Sequence, residues 1–93
     1  MADKDPGKWV PLRHYLRLKR GRYQELALGF RQIEEVLGDG LPKPARKYPE
    51  WWQNDAANEQ ARAWLETGWR VRVADIATER VVFEPQPDES TAE

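Results

Sequence analysis

The chain has 93 residues, 40% hydrophobic and 33% charged, with a formal net charge of −1, one histidine and no cysteine. That length makes one small domain whose core is only just large enough, and five Trp, three Tyr and two Phe are the means of filling it. Without cysteine there are no disulfides and no thiolate metal sites, His14 alone makes no metal cluster, and no run of about 18 apolar residues or signal-peptide pattern is present. The expectation is a cytoplasmic protein with no metal, no cofactor and no membrane partner.

The near-zero charge conceals an asymmetry. Residues 1–47 carry 11 Lys/Arg and 6 Asp/Glu, and residues 48–93 carry 4 and 10, so a basic half precedes an acidic one. A basic face on a near-neutral protein can meet a polyanion while the rest keeps the molecule soluble; equally, such a face can be merely solvated.

In chain order, residues 1–7 (MADKDPG) are polar and read as a disordered tail. Pro11–Lys19 reads as a helix with Pro11 at its first position, Leu12, Tyr15 and Leu16 on the inner face, Arg13, Arg17 and Arg20 on another, and Gly21 as the stop. Tyr23–Leu28 is a short strand. Phe30–Leu37 is a second helix, with Phe30, Ile33 and Leu37 at core spacing, Gly29 as N-cap and Gly38 as terminator. Pro44–Tyr48 has room for about one and a half helical turns before Pro49 forces Tyr48 out of the α region. Asn54 or Asp55 caps a longer helix, Ala56–Thr67, with Ala57, Ala61, Trp64 and Leu65 as its apolar stripe and Gly68 as its stop. Trp69–Ile76 and Glu79–Glu84 alternate as strands, and the short link between them makes a hairpin. Residues 86–93 are acidic and apolar-poor and read as a second disordered tail.

This order predicts a single α+β domain over residues 8–85, of the winged helix-turn-helix type, in which a hairpin wing follows the helices. One departure stands out. The piece after the Gly38–Leu41 turn is short and broken by proline, whereas a recognition helix is ordinarily longer.

The run LALGFRQIEEVLGDGLPKPARKYPEWWQND, followed by QARAWLETGWRV, resembles a family of small bacterial proteins of unknown function. Its members share a pattern close to L-T-F-x-x-I-E-x-I-L-G, L-P-x-S-A-R, W-W-x-N and Q-A-x-A-W-L-x-A-G-W. The resemblance covers about Pro11 to Phe83 and supports fold and extent more than mechanism. It also implies nucleic acid, because such domains occur beside nuclease-type and defence-related modules. Gly29 stands where the pattern has Thr and Pro44 where it has Ser, so two hydroxyls able to cap helices are missing.

The segment Leu41–Asn54 (LPKPARKYPEWWQN) concentrates the functional expectation. Lys43, Arg46 and Lys47 are suited to phosphates, with Arg46 also able to read a guanine edge, or else they form a solvated helix face. Of Trp51 and Trp52, one is expected in the core and the other exposed for stacking; the sequence leaves open which, and Trp52 stands as the candidate at the nucleic acid. Asn54 and Gln60 carry amides of the kind that pair with adenine, against the alternative that Asn54 is a helix cap. Arg17, Arg20 and Arg22, beside Arg13 and Lys19, would lie along a DNA backbone, and Arg72 on the hairpin would touch phosphate or the minor groove. Trp9, Trp64 and Trp69 read as packing. No Ser or Cys nucleophile lies near His14 and the carboxylates form no nuclease pattern, so an enzyme is not expected. The leading expectation is a non-enzymatic binder of double-stranded DNA; the alternative is a protein-interaction or homodimerisation module anchored by exposed Trp and Tyr.

Overall fold

A computed structural model describes residues 6–86 of the chain. Residues 1–5 and 87–93, the bulk of the two expected tails, lie outside the described residues. Pro6 and Gly7 belong to a 3₁₀ turn, Pro6–Trp9, that leads into helix α1, Val10–Lys19. Pro11 sits in its first turn, where a missing N–H costs nothing, and Leu12 and Leu16, one turn apart, are wholly buried. The Arg20 N–H closes the helix on the Leu16 and Arg17 carbonyls, and Gly21 turns the chain away at φ +88°.

Strand β1, Leu26–Gly29, is shorter than the expected Tyr23–Leu28, because only these four residues find partners on a neighbouring strand. Helix α2, Phe30–Leu37, has the expected bounds. Gly29 at its N-cap has no side chain to accept from the first turn, and the reciprocal half of a capping box remains: Gln32 Oε1 accepts the Gly29 N–H at 3.0 Å, while the Phe30 N–H reaches the Glu79 carbonyl at 2.9 Å. At the other end Gly38, at φ +74°, lets its own N–H and that of Asp39 return to the Glu34 carbonyl.

Helix α3, Lys43–Lys47, is a single turn stopped by Pro49, with Tyr48 extended at φ −123°. A 3₁₀ turn, Pro49–Trp52, follows. Helix α4 spans only Glu59–Leu65, a correction to the expected Ala56–Thr67. Asp55 Oδ1 accepts the Ala57 N–H at 2.9 Å and the Asp55 carbonyl accepts the Asn58 N–H, so residues 55–58 form a side-chain-closed turn that competes with helix. Ala57, expected in the apolar stripe, is therefore exposed. The helix stops where Thr67 Oγ1 donates toward the Ala63 and Trp64 carbonyls and Gly68 takes φ +91°.

Strands β2, Trp69–Asp75, and β3, Arg80–Pro85, form an antiparallel hairpin with a bulge between Val71 and Val73. β1 adds to the far side of β3, antiparallel, giving the order β1-β3-β2. Gln86, expected to open a tail, is held in place: its N–H bonds the Gly68 carbonyl and its Nε2 donates to the Leu65 and Trp69 carbonyls. Helices followed by a three-stranded antiparallel sheet ending in a hairpin make an α+β fold compatible with a winged helix.

The core lies between α1, α2, α4 and one face of the sheet. A run of aromatic rings passes through it: Trp9 against Trp51, Trp51 edge-on to Trp52, Trp52 stacked on Trp64 and on Phe30, and Trp64 against Phe83. The buried indoles Trp52 and Trp69 donate to the Ala45 and Leu16 carbonyls, and among the described residues no fully buried side-chain donor is left unmet.

Candidate nucleic-acid interface

The proline-rich segment divides by residue. On α3 the small Ala45 faces inward and is fully buried, while Lys43 and Lys47 project into solvent and have no carboxylate partner among the described residues. Arg46 is committed to the fold. Its guanidinium donates to Glu34 at 2.8 Å and to Glu79 at 3.2 Å, with Cζ 5.6 Å from the Phe30 ring centroid. The same Glu34 oxygen accepts the Leu41 N–H at 2.9 Å. These contacts, the Leu41 N–H first and Arg46 next, hold the Glu34 carboxyl below the usual glutamate range, and Glu34 in turn raises the Arg46 pKa. Reading of a guanine edge by Arg46 would require breaking both pairs.

Trp52, the candidate ring at the nucleic acid, is the buried one at 2% exposure, and Trp51 is half-buried. The two rings do not point apart as in an extended segment because the 3₁₀ turn brings them edge to face at 4.7 Å. Neither amide expected at a base edge is free. Asn54 is not a helix cap: its Nδ2 donates to the Val71 carbonyl at 2.9 Å, and its Oδ1 accepts both the Val71 N–H at 2.8 Å and the Trp64 indole N–H at 2.9 Å. Gln60 Nε2 donates to the Trp51 carbonyl at 3.1 Å. On the hairpin, Arg72 pairs with Glu25 at 2.8 Å and Arg70 with Glu84 at 2.6 Å, while Arg80 is exposed.

The end of α1 and the turn after it differ from this pattern. Arg13, higher on the helix, pairs with Glu66. Arg17, Lys19, Arg20 and Arg22 have no carboxylate partner among the described residues. Arg20 lies across Gly68, so closely that a Cβ there would collide with its side chain. Lys19 Nζ sits 5.2 Å from the Tyr15 ring centroid and 5.6 Å from that of Tyr23, held by cation–π attraction. Two clefts adjoin at Arg22. One, of about 260 Å³, is lined by Arg20, Tyr23, Gln24 and Gln86 among others; the second, of about 370 Å³, by Tyr15, Leu18 and Lys19. No carboxylate lines either. Tyr23, read from the sequence only as a strand residue, thus belongs to the basic surface; the signal available was its place directly after the R-G-R run.

The unpaired lysines of α3 and the basic run at the end of α1 are tied to opposite ends of the hairpin. α3 is tied to the turn between the strands through Arg46 and Glu79, whereas Arg20 rests on Gly68 at the start of β2. β3 separates these ends, a span of roughly 17–20 Å for a strand of such length. Among the described residues no three His, Asp or Glu side chains are placed to hold a metal ion, and no helix is long and apolar enough to cross a membrane.

The fold and this surface define a small α+β domain with helices, a C-terminal hairpin and, at the end of α1, a run of cations without carboxylate partners among the described residues. The chain belongs to the family Domain of unknown function (DUF7662), whose family model matches residues 9–86. No curated protein and no solved structure matches it.

Proposed function

We propose that this domain binds double-stranded DNA without catalysing a reaction, chiefly by holding phosphates. The observation that carries the reading is the uneven distribution of ion pairs. Arg13, Arg46, Arg70, Arg72 and Lys8 are paired within the fold, and Arg31, Arg62 and Arg80, also without a carboxylate among the described residues, stand singly in the chain, whereas Arg17, Lys19, Arg20 and Arg22 are left together over the end of α1 and the turn after it. Like charges crowded without partners raise the energy of the free protein, and a polyanion relieves that repulsion while releasing its own counterions. Lys43 and Lys47 add two more uncompensated cations at the far end of the hairpin. A duplex lying along the hairpin would meet both groups within about one helical turn. With Arg46, Asn54 and Gln60 occupied, base readout is minor and the binding is largely independent of sequence.

The test is fluorescence anisotropy with a labelled duplex across a salt series. The logarithm of affinity falls linearly with the logarithm of salt, by about 0.9 per phosphate contact. Changing Arg20 and Arg22 together to Ala lowers that slope by about 2. No binding at low salt, or an unchanged slope, overturns the proposal.

A second reading, a protein-interaction or homodimerisation module, is favoured by Leu18, which is 66% exposed on α1. Light scattering separates the two. A Leu18→Ala change that lowers the mass of the species without touching DNA affinity supports the second.

A further inference from the structure

We propose that the two adjoining clefts at the end of α1 form a site for one unstacked nucleotide of a DNA strand. The base would lie against Tyr15 and Leu18, and its phosphate against Arg20 and Arg22. The inference rests on the nucleic-acid reading above and adds to it the form of DNA bound: an end or junction with a single-stranded overhang, in preference to uninterrupted duplex.

The chemistry of the two clefts is complementary, and each is small. Ligand pockets for larger molecules commonly run to about 300–1,000 Å³. At about 260 Å³ the first falls below that range and at about 370 Å³ the second lies at its lower end, and the two together suit a polar group joined to a flat apolar one. The first offers guanidinium groups and the Gln24 amide, with no carboxylate to repel an anion. The second offers chiefly the Leu18 side chain, the most exposed large apolar residue described, at 66%, beside a Tyr15 ring that Lys19 overlies and a base would share with it. Arg22 lines both. Its planar guanidinium can stack on a base while its N–H groups hold the phosphate, a combination that lysine cannot supply.

The frame around the clefts is fixed in advance. Gly68 lets the Arg20 side chain lie across it where a Cβ would push that side chain aside, and Gln86, on the rim, is hydrogen-bonded to the backbone of both Leu65 and Trp69. Lys19, held against both tyrosine rings, keeps the apolar cleft positively charged at its margin. A stacked base pair in mid-duplex presents no open ring face to such a cleft. A base at an overhang does, and stacking of single bases on protein side chains is tolerant of sequence.

The experiment compares a blunt duplex with one of the same length bearing a short single-stranded overhang, by anisotropy. It uses the full chain and its Leu18→Ala and Arg22→Lys variants. The wild-type protein is expected to bind the overhang duplex on the order of 10-fold more tightly than the blunt one. Arg22→Lys keeps the charge but removes the planar stacking group, so the ratio of overhang to blunt affinity falls several-fold, whatever change the loss of the guanidinium brings to blunt-duplex affinity itself. Leu18→Ala, at an exposed position outside the phosphate-holding cluster, leaves blunt-duplex affinity and salt slope in place and lowers the same ratio. Equal binding of the two DNAs by the wild type, or a preference that survives both variants, overturns the nucleotide site and leaves the duplex reading standing. Binding of neither DNA overturns both.

Discussion

Asn54 and Val71 are joined as residues of adjacent strands would be, although Asn54 is not in a strand. Its amide donates to the Val71 carbonyl and its Oδ1 accepts the Val71 N–H. β2 lies at the edge of the sheet, with β3 as its one neighbour. The side chain therefore satisfies ladder groups on an edge that would otherwise be open to another chain.

Replacing Asn54 by Ala strips the partners from Val71 and from the Trp64 indole. The expected cost is about 1–3 kcal/mol. In a domain of this size each kcal/mol lowers Tm by about 4–8 °C, so thermal denaturation resolves it. Duplex affinity measured well below Tm stays at the wild-type level. A selective loss of affinity with Tm unchanged would instead return Asn54 to a role at the DNA.

Trp52→Ala removes a ring at the centre of the aromatic run and is expected to cost about 3–5 kcal/mol, enough to unfold a marginal domain. Trp51→Ala, at a half-buried position, costs less. Denaturant titration of the two variants orders them, and the reverse order would contradict the burial described.

Arg20 and Gly68 are expected to act as a pair. Gly68→Ala forces φ +91° on a residue with a Cβ and displaces Arg20. It lowers both stability and duplex affinity. Once Arg20 is already Ala, the second substitution costs less affinity, because the guanidinium it would displace is absent. A double-mutant cycle on binding measures that coupling, and strict additivity would refute it.

Glu34 predicts the pH dependence. Its carboxyl is held below the usual range, whose centre is about 4.3, in the folded protein alone. The unfolded state then binds the proton more readily, so this stabilisation is complete above the unfolded value and is lost as pH falls through the folded one. Glu34→Gln is expected to flatten the acid limb of the stability–pH curve and to weaken α3 docking through Arg46. Chemical denaturation between pH 3 and pH 7 (about one to three units either side of the usual range) reads this out.

Local chemistry made α2 legible in the sequence: Phe30, Ile33 and Leu37 mark one face, and Gly38 marks the stop. The hairpin was equally plain from its alternation. The edges of α4 were not, because Asp55 can cap a helix or close a turn and the sequence does not say which. Arg46 and Asn54 look like surface donors as long as their partners are unknown. Those partners come from α2, the hairpin turn, α4 and β2, 10 to 33 residues away, and only the packed fold brings them into range. The basic run at residues 17–22 could be read directly because its character is local; the adjoining clefts could not, since Gln86 completes one of them from the end of the sheet.

The linked indoles have an optical consequence. Trp52 and Trp64 lie 5.8 Å apart at an interplanar angle of 21°, with Trp51 and Trp9 next in line. Chromophores this close share their excited states, so near-ultraviolet circular dichroism should carry a coupled band that no single tryptophan would give. Fluorescence excited anywhere in the row migrates before it is emitted. The domain thus carries a built-in spectroscopic gauge of its own integrity, in which the loss of one ring alters the signal of all.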